Sequence, residues 1–440
     1  MSRALTSSLR RARRRLPFGI GTVAIVAAVA LVAAVGAVLA IGTPDRPSTR
    51  HDYGLLRSYV HEPDVAWTIS NTTLPDYTSG DRIEVVATRG DRWLVSYPSG
   101  IGRAYLLLDR DNGHQVWDHP LRAGTGSCGM TADGVVGCAV NANSELDRGF
   151  YLLDEDGNHG DRMPLEDTEL VTGVGPNFLR ISSSGHQASM FTPDGHKLWS
   201  RSFAQAATAT VLDDGLLQIS TSDAGRFIVD PASGADRLHC TDCTITAFGT
   251  GVTVEHTDPD NRMFDSYAVT DGVLDPRPVA HVAGMHVLTG PSTLAVLTRT
   301  GDAQMQATQG TYVVVDPARP GALWQISDEE LSKANTRPCG DAVAFALKSR
   351  ARSIYALADG THLGSLPAPE FGDPDANLDN LRCVGSSGKD LIFASNTRIS
   401  AVDPAAGGFA WSVDVNGQVD AVDGFLVARE GSSMRVFAPN

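Results

Sequence analysis

The chain lacks the sequence signatures on which most catalysis rests. It has no GxSxG elbow, no HExxH pair, no Walker-type glycine loop and no glycine fingerprint opening a helix. Serine-hydrolase, zinc-protease, P-loop and dinucleotide chemistry therefore have no motif here. Lysine is nearly absent, with Lys197, Lys333, Lys348 and Lys389 the only four. Together with abundant alanine, the arginine bias points to a high-GC, actinobacterial-looking genome. Beyond residue 42 no segment keeps a 3.6-residue apolar period over three turns, which excludes a helical body. Cysteine occurs at six positions, no two of them adjacent, and the twelve histidines are scattered singly.

What is present is a phrase that keeps returning. It reads YLLLDRDNGHQVW to Trp117, FTPDGHKLW to Trp199, FIVDPASGADRL to Leu238, VVVDPARPGALW to Trp324 and AVDPAAGGFAW to Trp411. Weaker copies end near 163, 278 and 366, so the spacing is about 36 to 46 residues, the mark of a repeat architecture. Each copy is an apolar run stopped by Asp-Pro or Asp-x-x-x-Gly. There Asp accepts backbone amides, Pro fixes φ and Gly supplies positive φ. A second strand then carries a large side chain, often Trp, and two further strand-like runs such as VVGCAV and LIFAS lie upstream. Four short strands per period make one blade of an all-β propeller.

Closure is also legible. Residues 418–440 supply three runs and stop, and the missing fourth appears at 64–70 as DVAWTIS. Its Trp67 stands where Trp117 and Trp411 stand in their repeats, and a borrowed strand of this kind removes two exposed sheet edges. The phrase then counts nine units. Seven or eight blades is the commoner number, and eight is the expectation, with seven or nine as the alternatives. Trp67, Trp117, Trp199, Trp324 and Trp411 are read as blade-packing groups.

The N-terminus differs in kind. Residues 1–15 hold six arginines and no acid, and 16–42 contain no charged residue. A stretch of that length crosses a bilayer about 30 Å thick, and the positive-inside rule keeps the arginines in the cytoplasm. The rival is a cleaved signal peptide with Val38 and Ala40 before the cut. Residues 43–61 read as a linker and 62–440 as the propeller, placed outside the cell membrane. With those six arginines set aside, 30 basic residues face 51 acidic ones, a balance of −21. That excludes nucleic acid and an anionic lipid surface as partners of the body.

Export suits the cysteines. Cys339 and Cys383 stand one period apart on equivalent innermost strands, and Cys128 and Cys138 lie on consecutive strands of one blade. Cys240 and Cys243 form CTDC. Three disulfides are expected from the even count. CTDC has redox and zinc readings as rivals, but no βαβ pattern or second CxxC accompanies it. Asp373, Asp375, Asn377 and Asp379 alternate as the ligands of a calcium loop do. Leu378 stands where that loop needs Gly and Val384 where it needs Glu, so a solvated loop between blades is the plainer reading and no metal is expected.

The phrase resembles the pyrroloquinoline-quinone-type β-propeller repeat, AxDxxTGxxxW. Ala401, Asp403, Gly407 and Trp411 match it, with Ala406 at the Thr position. Asp109, Gly113 and Trp117 match with Asn112 there, and Asp230 and Gly234 with Ser233 there and Leu238 in place of Trp. The resemblance spans 62–440 and implies the fold. The family's alcohol dehydrogenases hold Ca²⁺ beside the quinone with Glu, Asn and Asp, use a catalytic Asp, and carry a disulfide between adjacent cysteines. No adjacent pair exists here and no catalytic carboxylate can be placed by motif. The resemblance also covers non-catalytic envelope proteins. The expected function is thus a membrane-anchored, extracytoplasmic scaffold binding an envelope protein or small ligand, without cofactor. A quinone- and calcium-dependent dehydrogenase, or an envelope sensor working through a membrane partner, is the alternative.

Overall fold

A computed structural model describes residues 53–78, 82–142, 145–212, 215–257, 262–299, 310–332, 335–369 and 377–440. The expected cytoplasmic tail and membrane span, and Asp373 and Asp375, lie outside the described residues. Among the described residues no helix is long and apolar enough to cross a membrane.

Among the described residues the strands fall into nine antiparallel sheets, each a blade whose strands run in order from innermost to outermost. Blade 1 is Glu84–Arg89, Arg92–Ser99, Gly102–Asp109 and Leu121–Gly124, and blade 3 is Leu170–Val174, Asn177–Ile181, Gln187–Phe191 and Lys197–Ser202. Blade 2 has three strands, Cys128–Met130, Val136–Val140 and Gly149–Leu153, with isolated bridges from Phe150 to Met163 and from Leu153 to His159 in the outermost place. In blade 5 the outermost place is taken by Ala280–Ala283, after the short hairpin strand Val273–Leu274. The count is nine, one of the alternatives to the preferred eight. Every unit of the phrase makes its own sheet, including the irregular one ending at Met163.

Burial sits between blades, because each sheet has a neighbour on both faces. Strands such as Ala342–Ala346 and Asp390–Ala394 are buried at every position. Separate apolar clusters bridge blades 2 and 3, 3 and 4, and so on to 8 and 9. One larger cluster joins blade 9 to blades 1 and 2 through Trp67, Trp93, Val427 and Cys138. No interface is missing, so the ring is closed. The last blade is completed from the N-terminus, with Val65–Ser70 pairing Ser433–Phe437 antiparallel.

The phrase has a packing role. Gly113, at φ +69°, lies so close to the Trp67 indole that an added Cβ would come within 2.6 Å of it, and Trp67 Nε1 donates to Arg110 O at 2.6 Å. Gly234 and Gly360 sit likewise under Trp199 and Trp324, whose Nε1 groups donate to Pro231 O (2.8 Å) and Leu357 O (2.7 Å). The outermost strand of one blade is thereby docked on the turn of the next, where only glycine allows both the φ and the approach.

Candidate functional site

The two rims of the ring differ chemically. One carries the turns of the phrase. There Asp403 Oδ1 accepts Ala405 N (3.0 Å) and Ala406 N (3.1 Å), and the Lys389 ammonium together with these amides holds its carboxyl below the usual range. Asp230 accepts Ala232 N at 2.8 Å in the same way.

Residues 53–60, assigned by sequence to a linker, lie along this rim against the inner strand ends. An added Cβ on Gly54 would meet Pro291 O of blade 6 and Gly340 N of blade 7. Gly54 O accepts Ser386 N (2.7 Å) and Leu56 N donates to Ser386 O (2.8 Å) in blade 8, while Arg57 N donates to Gly424 O (2.9 Å) in blade 9. Tyr59 is fully buried. Its hydroxyl donates to Phe437 O (3.1 Å) and accepts Leu426 N (2.9 Å), and its carbonyl accepts Trp411 Nε1 (3.0 Å). Blade 9 has no turn before its outermost strand, because that strand comes from the N-terminus. Tyr59 takes the acceptor's place that a turn carbonyl fills elsewhere.

The opposite rim carries arginines at or next to the start of third strands. Arg103 donates to Arg82 O (2.9 Å) and Ser96 O (3.1 Å), Arg148 to Leu165 O (3.2 Å) and Glu166 O (3.1 Å), and Arg435 to Asp414 O (3.3 Å). Arg352 bonds Asn335 O and the Asp379 carboxylate, and burial pushes its guanidinium down while Asp379 opposes. These side chains tie the loop between blades to the sheet. Asp379, one of the four candidate calcium ligands, is thus engaged by Arg352, and its amide donates to Asn377 Oδ1 at 3.0 Å.

Blade 5 and its junction with blade 6 break this pattern. Asp265, on the third strand, is 7% exposed. His281, directly opposite on the outermost strand, bonds its Oδ1 through Nδ1, and His256 Nε2 lies 3.3 Å from Oδ2. On the other face of the same sheet, Glu255 is 5% exposed. Its Oε1 is 2.7 Å from His286 Nδ1 and its Oε2 accepts Val287 N at 3.1 Å, both on the innermost strand of blade 6. Arg262 lies 3.9 Å from the same carboxylate. The carboxylates orient the rings, holding Nδ1 of His281 and of His286 inward and leaving Nε2 on the outer side of each. The result is a row of partly exposed imidazoles over two buried acids. Among the described residues no group of three or more His, Cys, Asp or Glu is arranged to hold a metal ion.

The cysteines form the three expected pairs. Cys128 and Cys138 face each other across one hairpin, and Cys240–Cys243 joins the outermost strand of blade 4 to the innermost of blade 5. Cys339–Cys383 joins the innermost strands of blades 7 and 8. The CTDC thiols are therefore consumed as a cross-link between blades. The arginine rim and the histidine row were not anticipated. Arg103, Arg148, Arg226, Arg262, Arg352, Arg398 and Arg435 do recur at about one or two periods, a signal available in the sequence. The histidine row has no such spacing, because its members meet across strands.

The described part of the chain is a nine-bladed β-propeller. No protein-family profile matches the chain, and no curated protein matches it. Among solved structures it is similar to BamB from Moraxella catarrhalis, at 13% identity over 86% of this chain and 99% of that one, with a TM-score of 0.43. It is also similar to the computationally designed Ika8 protein (11%, 87% and 99%, TM-score 0.41) and to the Dos1 propeller (8%, 71% and 92%, TM-score 0.37). Likenesses of this strength carry no argument about activity.

Proposed function

We propose that this chain is a non-catalytic binding propeller of the bacterial cell envelope, held by residues 16–42 in the cell membrane with the propeller outside. Its recognition surface is the rim that carries the arginines and the histidine row. The observation behind this reading is the asymmetry of the two rims. Residues 53–60 lie along the inner strand ends of blades 6 to 9 on the turn rim, while the other rim presents charged and imidazole groups at blades 5 and 6. Rigid strands with loops at their ends are a common platform for recognition. Imidazoles backed by two buried carboxylates suit a partner that brings hydrogen-bonding groups and positive charge, such as a basic segment of an envelope protein. No cofactor enters this reading.

The test is photo-crosslinking in intact cells. A crosslinking residue at His281 should trap a discrete partner, and one at Asn112 on the turn rim should not. Adducts from Asn112 alone, or from neither position, would overturn the assignment of the recognition rim.

A further inference from the structure

Blade 3 contains an arginine that the rim pattern does not explain. Arg180 lies on the second strand, Asn177–Ile181, between Val171 and Ser189 on the flanking strands. It is 3% exposed. Phe150 of blade 2 and Phe191 of blade 3 pack on the guanidinium, with ring centroids 3.7 and 4.0 Å from Cζ. Both rings lie within cation–π range of it. Its Nε and Nη2 are buried and have no hydrogen-bond partner among the described residues.

Those two nitrogens form one edge of the guanidinium, the edge whose parallel N–H groups take a carboxylate in bidentate fashion. A buried charge without an acceptor is strongly disfavoured. Burial accordingly pushes the Arg180 guanidinium down to about 10, with Glu166 opposing. Glu166 does not fill the edge: neither nitrogen has a partner among the described residues, and the Glu166 oxygens lie 2.6 and 2.8 Å from Lys197 Nζ. The Ser189 hydroxyl is bonded to Ser200 Oγ at 2.9 Å. Aromatic contacts and a buried donor edge without an acceptor together describe a carboxylate receptor.

We infer that Arg180 is a buried binding site for a ligand carboxylate, admitted between blades 2 and 3 beside Glu166 and Lys197. The carboxylate is that of a small free acid or of a peptide terminus. The side chain binds it through two parallel N–H···O bonds, and no covalent step is involved.

The experiment uses the full chain in detergent, ¹⁵N-labelled, with the Arg180 Nε–H resonance assigned by its loss in Arg180→Met. Sodium acetate is titrated at ionic strength held constant with sodium chloride, and a short peptide is added with its C-terminus free or amidated. Thermal unfolding is followed in parallel. A saturable downfield shift of the Arg180 resonance and a rise in Tm, both lost in Arg180→Met, support the site. If acetate produces them the ligand is a small acid, and if only the free-ended peptide does, it is a partner's terminus. No saturable shift with either probe overturns the inference. So does an acetate-induced shift that persists at full size in Arg180→Met, since the signal then comes from another group. These readouts do not depend on which rim binds an envelope partner.

Discussion

Replacing Tyr59 by Phe should weaken the closed ring far more than the loss of one hydroxyl elsewhere. The hydroxyl is the acceptor for Leu426 N and the donor to Phe437 O, and both of those residues are fully buried. Phenylalanine leaves a donor and an acceptor unmet in a dry site, each costing about 1–3 kcal/mol. Partial relaxation brings the expected loss to about 2–4 kcal/mol. Tyr151→Phe is the control: its hydroxyl makes one half-buried bond to Asp147 O at 2.9 Å, and about 1 kcal/mol is expected. Urea unfolding at neutral pH reads both from the midpoint at constant slope. Alkaline pH adds a signature. Burial pushes the Tyr59 phenol up to about 12, with the Leu426 amide opposing. The group's contribution is therefore complete below about pH 10 and lost as pH climbs towards 12, and Tyr59→Phe removes that part of the decline. A Tyr59→Phe midpoint equal to that of Tyr151→Phe would refute the reasoning, showing that strand Val65–Ser70 closes the ring unaided.

Gly234→Ala places a Cβ 2.7 Å from the Trp199 ring at φ +72°. Left-handed strain and overpacking together should cost about 2–5 kcal/mol, whereas Gly175→Ala, at φ +54° with nothing within 4 Å, pays only the strain of about 1–2 kcal/mol; thermal unfolding compares them. Glu255→Ala strips the acceptor from His286 and from the buried Val287 amide, for about 2–4 kcal/mol, and Glu255→Gln, which keeps one oxygen, should recover part of it in the same urea assay. Burial pushes the Asp390 carboxyl up, with Lys389 opposing, so its protonated form is favoured by folding. The contribution is present below the unfolded value near pH 4 and lost as pH rises through the folded one. Asp390→Asn should then raise stability at pH 7 by about 1 kcal/mol and leave it unchanged at pH 3, which equilibrium unfolding at the two pH values decides. Pyrroloquinoline quinone with Ca²⁺, added well above micromolar, should leave Tm and visible absorbance unchanged; saturable binding with dye-linked oxidation of an alcohol or sugar would replace the scaffold reading with a dehydrogenase.

What the sequence by itself determined is what repeats or what is local. A strand, an Asp turn, a positive-φ glycine and a docking tryptophan each depend on a few neighbouring residues, so their recurrence declares the blade and its strand order. One-period spacing puts Cys339 and Cys383 at equivalent places, which is why that disulfide could be read from the chain. The borrowed strand at Trp67 was legible for the same reason. The tertiary structure decided the rest, because those features are contacts between residues remote in the chain. Nine blades follow from every unit, regular or not, claiming its own place in a closed ring. Tyr59 acts on Leu426, Phe437 and Trp411, more than 350 residues away. Asp265 meets His281, and Glu255 meets His286, only because strand register and the approach of neighbouring blades bring them together. The phenylalanines that pack on Arg180 come from two blades, and no local pattern of residues encodes that.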